Sequence, residues 1–165
     1  MLLTLQVLTI LAVSIAMALS LAHALEFPGK LRLSKETYLD MQMIYYPGFT
    51  IGGMVDEAGG LLATLALLWA TENAVAWRLI LAALLCLLVM HAVYWLVTHP
   101  VNNFWLKDIN IDRASNSFFS FIPIRRAKGK KPDWKELRNR WEYSHIIRAG
   151  LGLAGFLLIV TAVAL

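Results

Sequence analysis

The sequence predicts an all-α polytopic membrane protein, a four-transmembrane-helix bundle with interfacial helices in its loops. Three observations carry that expectation. Met1–Leu25, Leu79–Leu106 and Ala149–Leu165 contain no Asp, Glu, Lys or Arg, and Gly48–Ala70 is interrupted only by Asp56 and Glu57. About 20 apolar residues are enough for a helix to cross a hydrocarbon core of about 30 Å. The chain is 59% hydrophobic and 16% charged, against about 25% charged in a typical soluble domain. Its 165 residues leave room for a single domain with spans at about 2–25, 48–70, 76–98 and 143–165, and for no separate soluble domain.

The first span begins without a basic n-region. Its apolar run of about 24 residues exceeds the 7–15 of a signal sequence, so a retained span is expected despite the small-x-small sequence Ala22-His23-Ala24. In the loop that follows, Ser34–Tyr46 predicts a short helix with Ser34 as N-cap and Pro47-Gly48 as its stop. Leu39, Met41, Met43, Ile44, Tyr45 and Tyr46 make it apolar enough to lie at a membrane interface. The third span holds the single cysteine, Cys86, which excludes a disulfide framework and reads as a small buried apolar residue. In the long loop 99–142, Phe118-Phe119-Ser120-Phe121-Ile122-Pro123 adjoins Ile124-Arg125-Arg126. This aromatic anchor beside a basic cluster suits anionic lipid headgroups, which are expected along residues 113–140. Nucleic acid is not expected, because so basic a stretch beside a membrane serves topology. Pro132-Asp133 predicts a helix start that runs unbroken into the fourth span.

Topology follows from the cations. The 26–47 loop carries Lys30, Arg32 and Lys35. The 99–142 loop carries Lys107, Arg113, Arg125, Arg126, Lys128, Lys130, Lys131, Lys135, Arg138 and Arg140. With four spans both loops lie on one side, and the positive-inside rule makes that side cytoplasmic, with both termini outside.

Within this topology the ionisable residues converge at one depth. His23 ends the first span, Asp56 and Glu57 lie early in the second, His99 closes the third and His145 and Arg148 open the fourth. His91 lies eight residues before His99, about 12 Å deeper at 1.5 Å per residue. Trp141, His145 and Arg148 are spaced i, i+4, i+7, which places them on one helical face; His91, Tyr94, Trp95 and Thr98 form a similar face. Ionisable groups in hydrocarbon mark functional sites by default. Each has a plainer reading as well. His99 and Glu142 lie near the interface, where solvation is expected; Arg148 and His23 are placed to snorkel; His91 reads equally as a core histidine and as a ligand. Glu57, about two turns into its span, requires a partner or a proton. Glu142 and His145 make a Glu-x-x-His pair, half of a di-iron ligand set and a short pattern that recurs by chance.

Two motifs add a resemblance. His99-Pro100-Val101-Asn102 follows the third span, and Arg138-x-x-Trp141-x-x-x-His145-x-x-Arg148 opens the fourth. Together they resemble the anthrone-oxygenase-like family of small four-span proteins, most of them assigned to a domain of unknown function. Residues His23–Pro28 and the Gly53/Glu57 pair also stand where family members carry polar residues, and the basic stretch around 113–131 departs from the compact family loop. The resemblance implies similarity to fungal oxygenases that convert anthrones to anthraquinones with molecular oxygen, apparently without a metal. It implies a proton-abstracting base at His145 or His23 and an anion-stabilising role for Arg148 and Asn102, with Trp141 part of the same motif. Three readings stay open. One is an oxidoreductase acting on a lipophilic substrate at His23, Glu57, Asn102, Trp141, His145 and Arg148. Another is a metal or haem protein, with His91 as a cofactor ligand and His23, Glu57 and His145 as metal ligands. The last is a non-catalytic subunit of a larger membrane complex, or a homo-oligomer.

Overall fold

The computed structural model describes residues 1–45, 48–105 and 133–165, without the side chains of residues 50, 54, 56 and 103–105. The expectations for Asp56 and for the 113–131 stretch with its Phe118–Arg126 anchor lie outside these described residues. The elements are α1 (Leu2–Lys30), α2 (Lys35–Tyr45), α3 (Gly48–Ala70), α4 (Ala74–Val93), a π-turn (Tyr94–Thr98), α5 (His99–Trp105) and α6 (Trp134–Val163). Four helical stretches, Leu2–Lys30, Ile51–Ala70, Ala74–Asn102 and Trp134–Val163, are long and apolar enough to cross a membrane. Over the described residues the protein is all-helical, a membrane protein with four such helices.

Short polar sequences set the helix ends. Asn73 caps α4, its Oδ1 accepting from the N–H groups of Val75 (2.9 Å) and Ala76 (3.1 Å). Asp133 caps α6, accepting from Lys135 N–H, and the helix runs unbroken into the fourth span. Ser34 Oγ accepts from Thr37 N–H at the start of α2.

α6 lies between α1 and α4, α1 lies between α6 and α3, and α3 closes against α4 along the sparsest seam of the four. One end of this bundle is apolar: Val13 and Ala16 of α1, Leu67 of α3, Ile80, Ala83 and Leu87 of α4, and Ile159 of α6 form its core. Small residues let the helices approach, as is usual where lipid offers no hydrophobic drive between helices. A Cβ on Gly152 would stand 3.3 Å from Met17 Cα and 3.4 Å from Met90 Sδ. Buried Thr9, Ser20 and Thr64 each return their hydroxyl to the carbonyl four residues earlier. Leucines such as Leu3, Leu62, Leu85 and Leu157 are exposed on the outer faces, where lipid replaces a protein partner.

At the opposite end, α2 packs over the bundle. Tyr38, Val101 and Trp141 form a second core there, supported by Leu33, Leu39, Trp134 and Leu137. Met43 and Ile44 of α2 remain exposed.

The third span differs from a regular helix in one place. Pro100 has no N–H to bond the carbonyl of Leu96, and its ring crowds that carbonyl. The backbone widens into a π-turn in which His99 N–H bonds Tyr94 O, five residues back. Arg140 Nη2 from α6 donates to the freed Leu96 carbonyl at 3.3 Å. The helix therefore passes through Pro100 and continues to Trp105, past the boundary expected at residue 98.

Candidate functional site

The polar end encloses a cavity of about 210 Å³. His23, Glu57, His91, Asn102, Trp141, His145 and Arg148, the residues named in the oxidoreductase and metal readings, line it together with Tyr45, Phe49, Tyr94 and Trp95. The helical spacings explain the convergence: Trp141, His145 and Arg148 point from one face of α6, and His91, Tyr94, Trp95 and Thr98 from one face of α4 and the π-turn.

A charged network forms one wall. Arg148, 5% exposed, pairs with Glu57 Oε1 and lies over the Tyr94 ring, 5.1 Å from its centroid. A charged side chain at the centre of a spanning helix costs roughly 2.5–3.5 kcal/mol, so the Arg148–Glu57 pair satisfies two such demands at once. His91 Nδ1 stands 3.4 Å from Glu57 Oε2. Trp95 Nε1–H donates to His91 Nε2 at 2.9 Å, so in the neutral ring Nδ1 carries the hydrogen and faces the carboxylate. Arg148 keeps an Nε–H that is buried and has no hydrogen-bond acceptor among the described residues.

The opposite wall is aromatic. Trp141 Nε1–H donates to Asn102 Oδ1 at 2.7 Å, and Asn102 is also hydrogen-bonded to Tyr94. The His145 ring lies 4.1 Å from Trp141 and 4.4 Å from His23, centroid to centroid. His145 Nδ1 is 2.9 Å from the Trp141 carbonyl. A carbonyl only accepts, so His145 is the Nδ1–H tautomer and its Nε2 carries the basic lone pair.

Behind His23 lies a group that sequence reasoning missed. Lys30 looks like a topological loop cation, yet it is 2% exposed at the end of α1. Its ammonium meets Glu26 Oε2 at 3.0 Å, His23 Nδ1 at 3.1 Å and Glu142 Oε2 at 3.6 Å. It also lies over the rings of Tyr45 and Trp141. Tyr38 donates to Glu142 Oε1 at 2.8 Å and Tyr45 to Glu26 Oε2 at 2.6 Å. Burial pushes the Tyr45 hydroxyl above the usual phenol range, and the bond to Glu26 adds to the shift, so Tyr45 stays a donor. The sequence signal was available in part: Lys30 is i+4 from Glu26 and i+7 from His23.

Two expectations change. Glu142 and His99, expected in solvent, are both fully buried. Glu142 meets Tyr38 and Lys30 under α2, and His99 packs against Trp95 and Tyr94 inside the π-turn. Glu142 and His145 consequently face different groups, so the Glu-x-x-His spacing does not build a ligand pair. Among the described residues no three His, Cys, Asp or Glu side chains form a set that could hold a metal ion. Both ring nitrogens of His91, the expected cofactor ligand, face Trp95 and Glu57.

The cavity reaches the outer surface beside the α3–α4 seam. Ala58 lines it and is exposed, and the His91 side chain is 33% exposed.

These features belong to a class of small four-span membrane proteins with a polar chamber at one end. The model of the anthrone oxygenase family matches residues 42–158, and the chain belongs to that family. The match begins within α2, so His23 and Lys30 on α1 lie outside it. No curated protein and no solved structure matches the chain.

Proposed function

We propose that the chain is an oxygenase that oxidises an acidic C–H bond of a lipophilic, anthrone-like aromatic with molecular oxygen inside this cavity. The observation that carries the proposal is the pairing of a base with an unused cationic donor. His145 presents an unprotonated Nε2, and buried Arg148 retains an Nε–H without an acceptor, both in the wall of one chamber. An apolar cavity of about 150 Å³ accommodates benzene, so about 210 Å³ offers room for more than a single ring. Trp95, Trp141, Phe49 and Tyr94 supply flat apolar surface for it.

The reaction follows from these groups. His145 Nε2 takes a proton from the methylene carbon, and the charge moves onto the substrate oxygen beside Arg148. Glu57 fixes Arg148, and His91 fixes Glu57. The carbanion reduces oxygen as the C–O bond forms, and the His145 imidazolium protonates the peroxide. His145 then removes the second proton from the same carbon. The C=O bond forms as the O–O bond breaks, and the departing hydroxide takes the proton from His145 as water. One substrate methylene and one oxygen molecule give one ketone and one water.

Purified protein in mild detergent, given an anthrone and air, tests this. The expected result is one oxygen consumed per anthraquinone formed, without accumulating hydrogen peroxide. Stoichiometric peroxide, or no rate above the uncatalysed one, would sink the proposal.

A further inference from the structure

We infer that Lys30 is a positioning residue that divides the two facing imidazoles into opposite roles, holding His23 as a hydrogen-bond donor to the cavity while His145 is the base. The chemical consequence rests on the oxygenase reading above; the tautomers do not.

An ammonium donates and cannot accept. Lys30 lies 3.1 Å from His23 Nδ1, so that nitrogen supplies the lone pair and the hydrogen of His23 is on Nε2. Two carboxylates, Glu26 at 3.0 Å and Glu142 at 3.6 Å, flank the same ammonium. Glu142 is itself anchored by Tyr38 and Glu26 by Tyr45, which ties the Lys30 position to α2 and α6. His145 has the reverse arrangement, because its Nδ1 faces a carbonyl at 2.9 Å. Two rings 4.4 Å apart and inclined at 64° thus carry their hydrogens on opposite nitrogens. One sequence reading left either histidine as the base; only His145 has the free lone pair at Nε2.

A neutral Nε2–H gives up its proton only by forming an imidazolate, so His23 donates a hydrogen bond and not a proton. With a cation on Nδ1, its Nε2–H is polarised toward an anionic oxygen. His23 and Arg148 together then surround the developing oxyanion, and His145 moves every proton. The device lies on α1, outside the residues matched by the family model.

Ring-nitrogen NMR of 15N-histidine-labelled protein in detergent tests the assignment, with the four histidines identified by single substitution. The wild type is expected to show His23 as Nε2–H and His145 as Nδ1–H. In Lys30→Met the nearest remaining partner of His23 Nδ1 is Glu26 Oε2, at 3.8 Å. His23 is therefore expected to switch to Nδ1–H while His145 stays unchanged. Anthrone turnover should fall about a hundredfold, the lower end of what a positioned acid–base group contributes. His23 found as Nδ1–H or doubly protonated in the wild type overturns the inference even if the variant does not fold. So does a Lys30→Met protein whose His23 remains Nε2–H. The predicted tautomers in a protein without anthrone turnover would uphold the assignment and reject the oxygenase reading instead.

Discussion

Glu57 and Arg148 stand 91 residues apart and meet in the chamber wall, where each answers the cost of burying the other. Glu57→Gln keeps an oxygen for Arg148 but removes the charge and the acceptor facing His91. His145→Ala removes the proposed base. Both variants are expected to insert normally and to lose activity, His145→Ala by about 10²–10⁴-fold, checked by membrane-fraction blots beside oxygen uptake. Degradation of both would mean that these residues hold the bundle together and do no chemistry. Much of this was legible in the sequence, because intramembrane charge is rare and i, i+4, i+7 spacing is local. Lys30, Glu142 and His99 were misread for one reason. A cation or histidine at a span end has the same sequence appearance whether it faces water or the underside of a packed helix such as α2.

At the scale of elements, one departure from regular helix and one close helix approach shape the bundle. Pro100 forces the π-turn, which carries Trp95 against His91 and Thr98 against Ser144, their hydroxyls 2.8 Å apart. The proline is visible in the sequence, but its usual consequence is helix termination. Here the helix continues, and Arg140 of α6 takes the Leu96 carbonyl, a contact no local pattern reports. The second device is close approach of α6 to α1 and α4 at Gly152. Gly152→Leu places a side chain against the Met17 backbone, which cannot rotate aside as a flexible side chain would. A loss of about 1–3 kcal/mol is expected, read as an earlier thermal transition in detergent, with Gly150→Leu, whose Cβ meets nothing within 4 Å, as the tolerant control. Equal effects of the two would contradict tight packing at Gly152.

Over the whole molecule, the bundle is apolar at one end and polar at the other, and the alternation of spans makes that division inevitable. His23 lies late in α1, Glu57 early in α3, His91 and Asn102 late in the third span and His145 in the first half of α6, so antiparallel helices bring them to one level. The four spans and this shared level were readable from hydropathy; α2 was readable as an interfacial helix but not as a lid, since no local pattern shows that Tyr38, Gln42 and Tyr45 turn onto the bundle. By the positive-inside rule the chamber is expected on the cytoplasmic side. A C-terminal tag is accordingly expected to react with an impermeant label on intact cells, and protection of that tag would reverse the orientation.

The central claim is that His145 removes a carbon-bound proton in this chamber, and hydrogen exchange without oxygen isolates that step. Anthrone incubated anaerobically with purified protein in deuterated buffer should exchange its methylene hydrogens well above the uncatalysed rate. The acceleration should vanish with His145→Ala in a protein that retains the wild-type helical spectrum. Exchange no faster than buffer alone, or exchange that survives the loss of His145, would contradict the account.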